Sequence, residues 1–141
     1  TEAESQPFVI QAELMQNCGV DIVDVERVAR MLERDGERVT TRLLTESEWA
    51  YCAGMHTPAQ HVAARLAAKE AAFKALAGTE EARGIGWREI EVVHDEHRRP
   101  SVVLHGRAAA RAAELQVVRT LLTLSHSRQT AGAVVILERD G

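Results

Sequence analysis

Arg65-Leu66-Ala67-Ala68-Lys69-Glu70-Ala71-Ala72-Phe73-Lys74-Ala75-Leu76 is the stretch from which the rest of the chain can be read. Alanine and other strong helix formers fill it, with neither Gly nor Pro, so propensity dictates a helix. At 3.6 residues per turn, Val62, Leu66, Phe73 and Ala77 gather within about 60° and predict a buried stripe. Glu70 and Lys74 stand at one edge of that stripe, Arg65 and Lys69 at the other. Taken alone, Glu70 and Lys74 are an ordinary surface pair four residues apart, worth about 0.3–0.5 kcal/mol. Beside an apolar face, however, the same carboxylate and ammonium are also within reach of a ligand. Two distant stretches decide between these readings.

The bulk properties set limits. At 141 residues, 45% hydrophobic and 27% charged, the chain has the size and composition of one globular domain with a real core. A net charge of -4 excludes a nucleic-acid binder that relies on overall basicity. No apolar run approaches the ~20 residues of a membrane helix, and the N-terminus lacks a basic-then-apolar signal pattern. Cys18 and Cys52 have neither metal-ligand spacing nor a disulfide framework, so a reducing cytoplasm is expected. His94 and His97 sit in a polar turn without Cys or further ligands, a poor metal site.

Residues 1–17 read as an N-terminal extension or a linker remnant ahead of a domain at 18–141. Within the leader, Phe8-Val9-Ile10 suits the start of a short strand, and Gln11 to Gln16 fits strand or helix. Cys18-Gly19-Val20-Asp21-Ile22-Val23 is predicted to be a buried strand with one acid set into it. An Asp there is costly unless a cation, a cap or a metal neutralises it. Asp24, directly at the next helix start, fits the cap, which leaves Asp21 without a structural job.

A helix is expected from Val25 to Asp35, with Val25, Val28, Ala29 and Leu32 inward and Gly36 at its end. Its outer face carries Arg27, Arg30 and Arg34, with Arg38 one turn further on. Arg30 and Arg34 repel each other at i,i+4. The stripe is either a solvated face or a docking surface for an acidic partner. Thr45 and Glu48 form a capping box before a short helix that Gly54 ends. Pro58 then starts the central helix, predicted to stop at Gly78. Trp87 to Val93 and Pro100 to Leu104 are predicted to be a strand hairpin, Arg107 to Leu115 a helix. Val117 to Ser125 and Gln129 to Leu137 complete the chain as a strand pair around Ser125-His126-Ser127-Arg128. This order predicts an α+β domain, its mostly antiparallel sheet packed with the long central helix.

Gly19-Val20-Asp21-Ile22-Val23, Arg65 through Lys74, and Leu124-Ser125-His126-Ser127 together resemble the holo-acyl-carrier-protein synthase branch of the 4′-phosphopantetheinyl transferases. The similarity extends from about Gly19 to Glu138, and the order and spacing of the three stretches make it specific. It implies the single-lobe transferase fold and a reaction: phosphopantetheine moves from coenzyme A to a serine of an acyl carrier protein, releasing adenosine 3′,5′-bisphosphate. It implies a magnesium ion held by Asp21 and Glu70 on the diphosphate of coenzyme A, which suits a metal that keeps few carboxylates. Val23 stands where larger relatives have a further acid, so water would fill that place.

By the same resemblance Lys74 neutralises the diphosphate, and Glu70, or a water it shares with magnesium, takes the serine proton. Ser125 and His126 match an element that contacts the nucleotide end of coenzyme A, in relatives across a subunit interface. Arg65 and Lys69 are expected as further phosphate contacts, Arg65 at the 3′-phosphate or a neighbouring subunit. Arg27, Arg30 and Arg34 become the docking stripe for an acidic carrier protein, and the length implies a homotrimer. Two features depart from the family pattern. The leader before Cys18 is extra, which fits either a free-standing enzyme or a domain of a fatty-acid or polyketide synthase. The hairpin turn His97-Arg98-Arg99-Pro100 lacks the Gly that relatives often have. A non-catalytic docking domain or a coenzyme A-binding module of a larger synthase is the alternative; retention of Asp21, Glu70 and Lys74 counts against it.

Overall fold

The computed structural model describes residues 17–139, so the leader's predicted strand at Phe8 to Ile10 and the segment Gln11 to Gln16 lie outside the described residues. Strand β1 (Cys18–Asp24) runs directly into helix α1 (Val25–Leu43). Asp24 makes the joint, its Oδ1 accepting from the Glu26 N–H at 3.1 Å. The expected end at Gly36 is corrected: the helix continues to Leu43, with a kink at Asp35 (φ -127°, ψ 19°). Thr40 and Leu44 are buried beyond the kink. Packing there outweighs the ~1 kcal/mol that a glycine costs inside a helix.

Helix α2 (Glu46–Ala53) begins on the predicted capping box, Thr45 Oγ1 accepting from the Glu48 N–H and Glu48 Oε1 from the Thr45 N–H. Helix α3 (Pro58–Leu76) follows. Two short 3-10 turns, Glu81–Gly84 and Trp87–Glu89, lead to the hairpin of β2 (Ile90–His94) and β3 (Pro100–Leu104). The strand predicted from Trp87 therefore starts only at Ile90. Glu89 is the reason, because its carboxylate turns back to accept from Gly86 N–H and from the N–H groups of Arg107 and Ala108. Those last two belong to helix α4 (Gly106–Glu114), which Glu89 thereby caps. Strands β4 (Val117–His126) and β5 (Thr130–Arg139) close the chain.

The main sheet has the order β1-β5-β4 and is antiparallel throughout, while among the described residues β2 and β3 pair only with each other. Register places Asp21 across from Ala133 and Leu124, and Val23 across from Ala131 and His126. Strand alternation points Gly19, Asp21 and Val23 toward α3, and Val20 and Ile22 away from it. Those two are 56% and 71% exposed.

Helix α3 is buried on nearly every side, which corrects the single stripe expected for it. Ala63, Ala64, Ala67, Ala68, Ala71, Ala72 and Ala75 are all buried, while Phe73 is half-buried and Ala77 exposed. The alanines have a geometric cause. A Cβ on Gly19 would lie 1.8 Å from the Ala71 carbonyl oxygen, so strand and helix meet backbone to backbone. The α+β fold is thus a small-residue rod sheathed by the sheet, the hairpin and the other helices. No helix among the described residues is long and apolar enough to cross a membrane.

Candidate active site

Asp21 points from β1 toward the last turn of α3, and Lys74 meets it there. Its Nζ donates to Asp21 Oδ1 at 2.9 Å and to the Val20 carbonyl at 3.0 Å. Asp21 is the enclosed partner, its side chain 15% exposed against 54% for Lys74. Glu70 lies one turn earlier on the same flank of α3. It is half-buried and, among the described residues, has neither hydrogen bond nor ion pair. The Glu70–Lys74 pair that spacing allows is therefore not made; the lysine serves Asp21 instead. A partly buried carboxylate without a counter-charge, one helical turn from the lysine that holds a second carboxylate, is suited to a cation.

The other edge of α3 differs from expectation. Lys69 does not reach a surface where phosphate could meet it. Its Nζ lies inside the protein, 2.8 Å from Glu48 Oε1, and donates to the carbonyls of Trp87 at 2.8 Å and Ile90 at 2.5 Å. Three donors are matched by three acceptors, so a phosphate contact would break a buried bond. Burial lowers the lysine pKa, and the adjacent Glu48 opposes that shift.

Arg65 is also buried, at 2% exposure. Nη1 donates to the His61 carbonyl at 3.0 Å, Nη2 lies 3.3 Å from His94 Nε2, and the guanidinium sits 4.3 Å from the centre of the Tyr51 ring. Its Nε alone is left without a partner among the described residues. Tyr51 stacks in turn on His94, ring centres 4.5 Å apart and nearly parallel. His126, at the end of β4, packs edge-on against His61 at 4.9 Å. Arg65 and His126 thus belong to one cluster, joined through His61. Burial first, then His126 and Arg65, hold His61 below the usual histidine range. Burial and Arg65 do the same to His94, against a small opposing pull from Asp95.

Ser125 is not part of that cluster within one chain. Alternation puts it on the outer face of the sheet, across from Gly132 and Ile22. Arg27, Arg30 and Arg34 are exposed along α1 as expected, and Arg34 donates to Asp35 Oδ2 at 3.0 Å. Beside the kink, Met31, Arg38, Val39, Arg42, Leu43 and Trp87 line a groove of about 690 Å³.

Tyr51, His61 and His94 are site neighbours that the sequence reading missed. His61 had a usable signal, being four residues before Arg65 on one helix. Tyr51 and His94 come from α2 and β2, and no local pattern announces their meeting.

The sequence model of the 4′-phosphopantetheinyl transferase superfamily matches residues 17–135. The holo-[acyl-carrier-protein] synthase of Geobacter sulfurreducens is 44% identical over 121 residues, 86% of this chain and 95% of that protein. The crystal structure of the Neisseria meningitidis holo-[acyl-carrier-protein] synthase superposes with a TM-score of 0.77 at 27% identity, covering 89% of this chain and 99% of that one. The Bacillus anthracis holo-(acyl-carrier-protein) synthase, solved in complex with CoA (3′,5′-ADP), gives 0.70 at 30% identity over 88% and 96% of the two chains. The chain belongs to the 4′-phosphopantetheinyl transferase superfamily. Within it, these relatives are holo-acyl-carrier-protein synthases, and the α+β fold described above is the fold of their structures.

Proposed function

We propose that this chain transfers 4′-phosphopantetheine from coenzyme A to a serine of an acyl carrier protein, releasing adenosine 3′,5′-bisphosphate. The observation that carries the reading is the Asp21–Lys74 pair where β1 crosses the end of α3, with the unpartnered Glu70 one helical turn before Lys74. A relative 44% identical over 86% of the chain carries this activity in its name.

The donor set fits magnesium. Among the described residues no cluster of three or more His, Cys, Asp or Glu side chains could hold a metal. An ion that takes one or two carboxylates and completes its shell with water and substrate phosphate needs no more than Asp21 and Glu70. When bound there it would neutralise the coenzyme A diphosphate and stabilise charge that develops on it. The protein's own residues do the rest. Glu70 takes the proton from the carrier serine as its oxygen attacks the pantetheine-side phosphorus. The bond from that phosphorus to the nucleotide phosphate breaks, and Lys74 stabilises the negative charge of the departing group.

His126, packed edge-on against His61, supplies the nucleotide end of the site, and the buried Arg65 holds His61 and His94 in place behind it. Arg27, Arg30 and Arg34 receive an acidic carrier, with the Met31–Trp87 groove beside them for an apolar side chain. Val20, Ile22 and Leu121 leave the outer face of the main sheet apolar and exposed, which supports a homotrimer closed over that face. Ser125, on the same outer face, would then meet the ligand of a neighbouring subunit. In this reading residues 18–141 are the transferase domain and 1–17 an extension, and a coenzyme A-dependent transfer to a carrier suits the cytoplasm.

Intact-mass measurement of an apo carrier incubated with the chain, coenzyme A and magnesium tests the reaction. A gain of one phosphopantetheine is expected; no gain with any of several carriers, despite coenzyme A binding, would refute it.

A further inference from the structure

The two lysines of α3 are satisfied differently, and the difference has consequences for metal binding. Lys69 spends its three donors on three buried acceptors. Lys74 spends two, on Asp21 Oδ1 and the Val20 carbonyl, and keeps one N–H directed to solvent from a side chain that is 54% exposed. Its ammonium already sits on the carboxylate that the reading above makes a metal ligand. A magnesium ion on Asp21 Oδ1 would bind that oxygen at about 2.0–2.1 Å. At that distance it would stand within about 5 Å of the Lys74 nitrogen, which lies 2.9 Å from Asp21 Oδ1, and the two cations repel.

We infer that Lys74 and the divalent ion compete for Asp21, and that the coenzyme A diphosphate ends the competition by drawing the ammonium off the carboxylate. The inference rests on Asp21 and Glu70 being the metal ligands. Lys74 then has two positions with two partners. On Asp21 it neutralises an enclosed acid. On the diphosphate it offers a charge-assisted hydrogen bond to an anion stronger than one shared carboxylate. Mobility is built into the arrangement, because the side chain is half exposed and makes one ion pair of the solvent-screened kind. Metal and coenzyme A are thereby coupled: each binds more tightly when the other is present, and the lysine carries part of that coupling.

Titration with Mn2+ alone, followed by the paramagnetic signal of the free ion, tests this on the full chain with and without coenzyme A. Lys74→Gln should bind Mn2+ about five-fold more tightly than the wild type in the absence of coenzyme A. Lys74→Arg, which keeps a cation on Asp21, should stay at the wild-type affinity. Coenzyme A should strengthen Mn2+ binding by a larger factor in the wild type than in Lys74→Gln. Equal Mn2+ affinities for wild type and Lys74→Gln, or the same coenzyme A factor in both, would overturn the competition while leaving the metal site standing. Failure of every variant to bind Mn2+ under either condition would overturn the metal-ligand reading itself.

Discussion

Glu48 and Lys69 form an ion pair of 2.8 Å in which both side chains are wholly enclosed by protein. Glu48 Oε1 also accepts from the Thr45 N–H at 2.8 Å, and Oε2 accepts from the Val92 N–H at 2.9 Å. One carboxylate thus ties the start of α2 to β2 and to the middle of α3, one residue before Glu70. Removing either charge strands the other in a low-dielectric interior. Lys69→Met should therefore destabilise the fold by about 3–5 kcal/mol, read as a lower midpoint in urea. A loss of activity with unchanged stability would instead return Lys69 to the substrate.

Arg98 sits in the hairpin turn at φ 63°, in the left-handed region that a side chain disfavours. Asp95 holds the turn in place, its Oδ1 accepting from the N–H groups of His97 and Arg99. Arg98→Gly should relieve the strain and raise stability by about 0.5–1 kcal/mol, measured by thermal or urea unfolding. A drop in stability would show that the arginine side chain makes a stabilising contact within the fold that outweighs the strain.

His61 and His94 have pKa values lowered in the folded state, chiefly by burial, with Arg65 adding to both and His126 to His61. A histidine held neutral by the fold takes up its proton more readily when unfolded. It therefore contributes stability above its unfolded pKa, and this is lost as pH falls below about 6.5 toward the folded value. The urea midpoint should fall between about pH 7.5 and pH 5.5, and His94→Phe, which retains a ring on Tyr51, should lessen that fall. An identical pH dependence in wild type and variant would contradict the assignment.

Arg30 has no ion pair among the described residues, whereas Arg34 is engaged by Asp35. Charge reversal at Arg30 should accordingly weaken the carrier protein more than charge reversal at Arg34. About a ten-fold rise in KM for the carrier is expected for Arg30→Glu, with the KM for coenzyme A unchanged and the effect shrinking as salt is added. Equal losses for both substrates would dismiss α1 as the docking surface.

The parts of this architecture legible in the sequence are those whose partners lie close along the chain. The Asp24 cap, the Thr45–Glu48 box and both hairpins are patterns a few residues long. Asp21 was legible for another reason: an acid in an apolar strand demands a cation, and Lys74 supplies one. The faces of α3 were not legible, because alanine marks neither a buried nor an exposed side. That is why Lys69 and Arg65 were placed on an open flank when they are core groups. Their partners Glu48, Tyr51 and His94 arrive from other elements, and only the fold brings them in. Gly36 misled because the packing of Thr40 and Leu44, not local propensity, decides where α1 ends.

The measurement that bears most directly on the central claim is the mass of an apo carrier after incubation with Glu70→Gln, coenzyme A and magnesium. The substitution keeps the shape of a side chain that supports no hydrogen bond or ion pair among the described residues, so the fold should melt as the wild type does. Loss of the metal ligand and proton acceptor together should cut the transfer rate by at least about 10²–10⁴-fold, leaving the carrier at its apo mass when wild type has converted it. Conversion at near wild-type rate would contradict the placement of the chemistry at Asp21, Glu70 and Lys74.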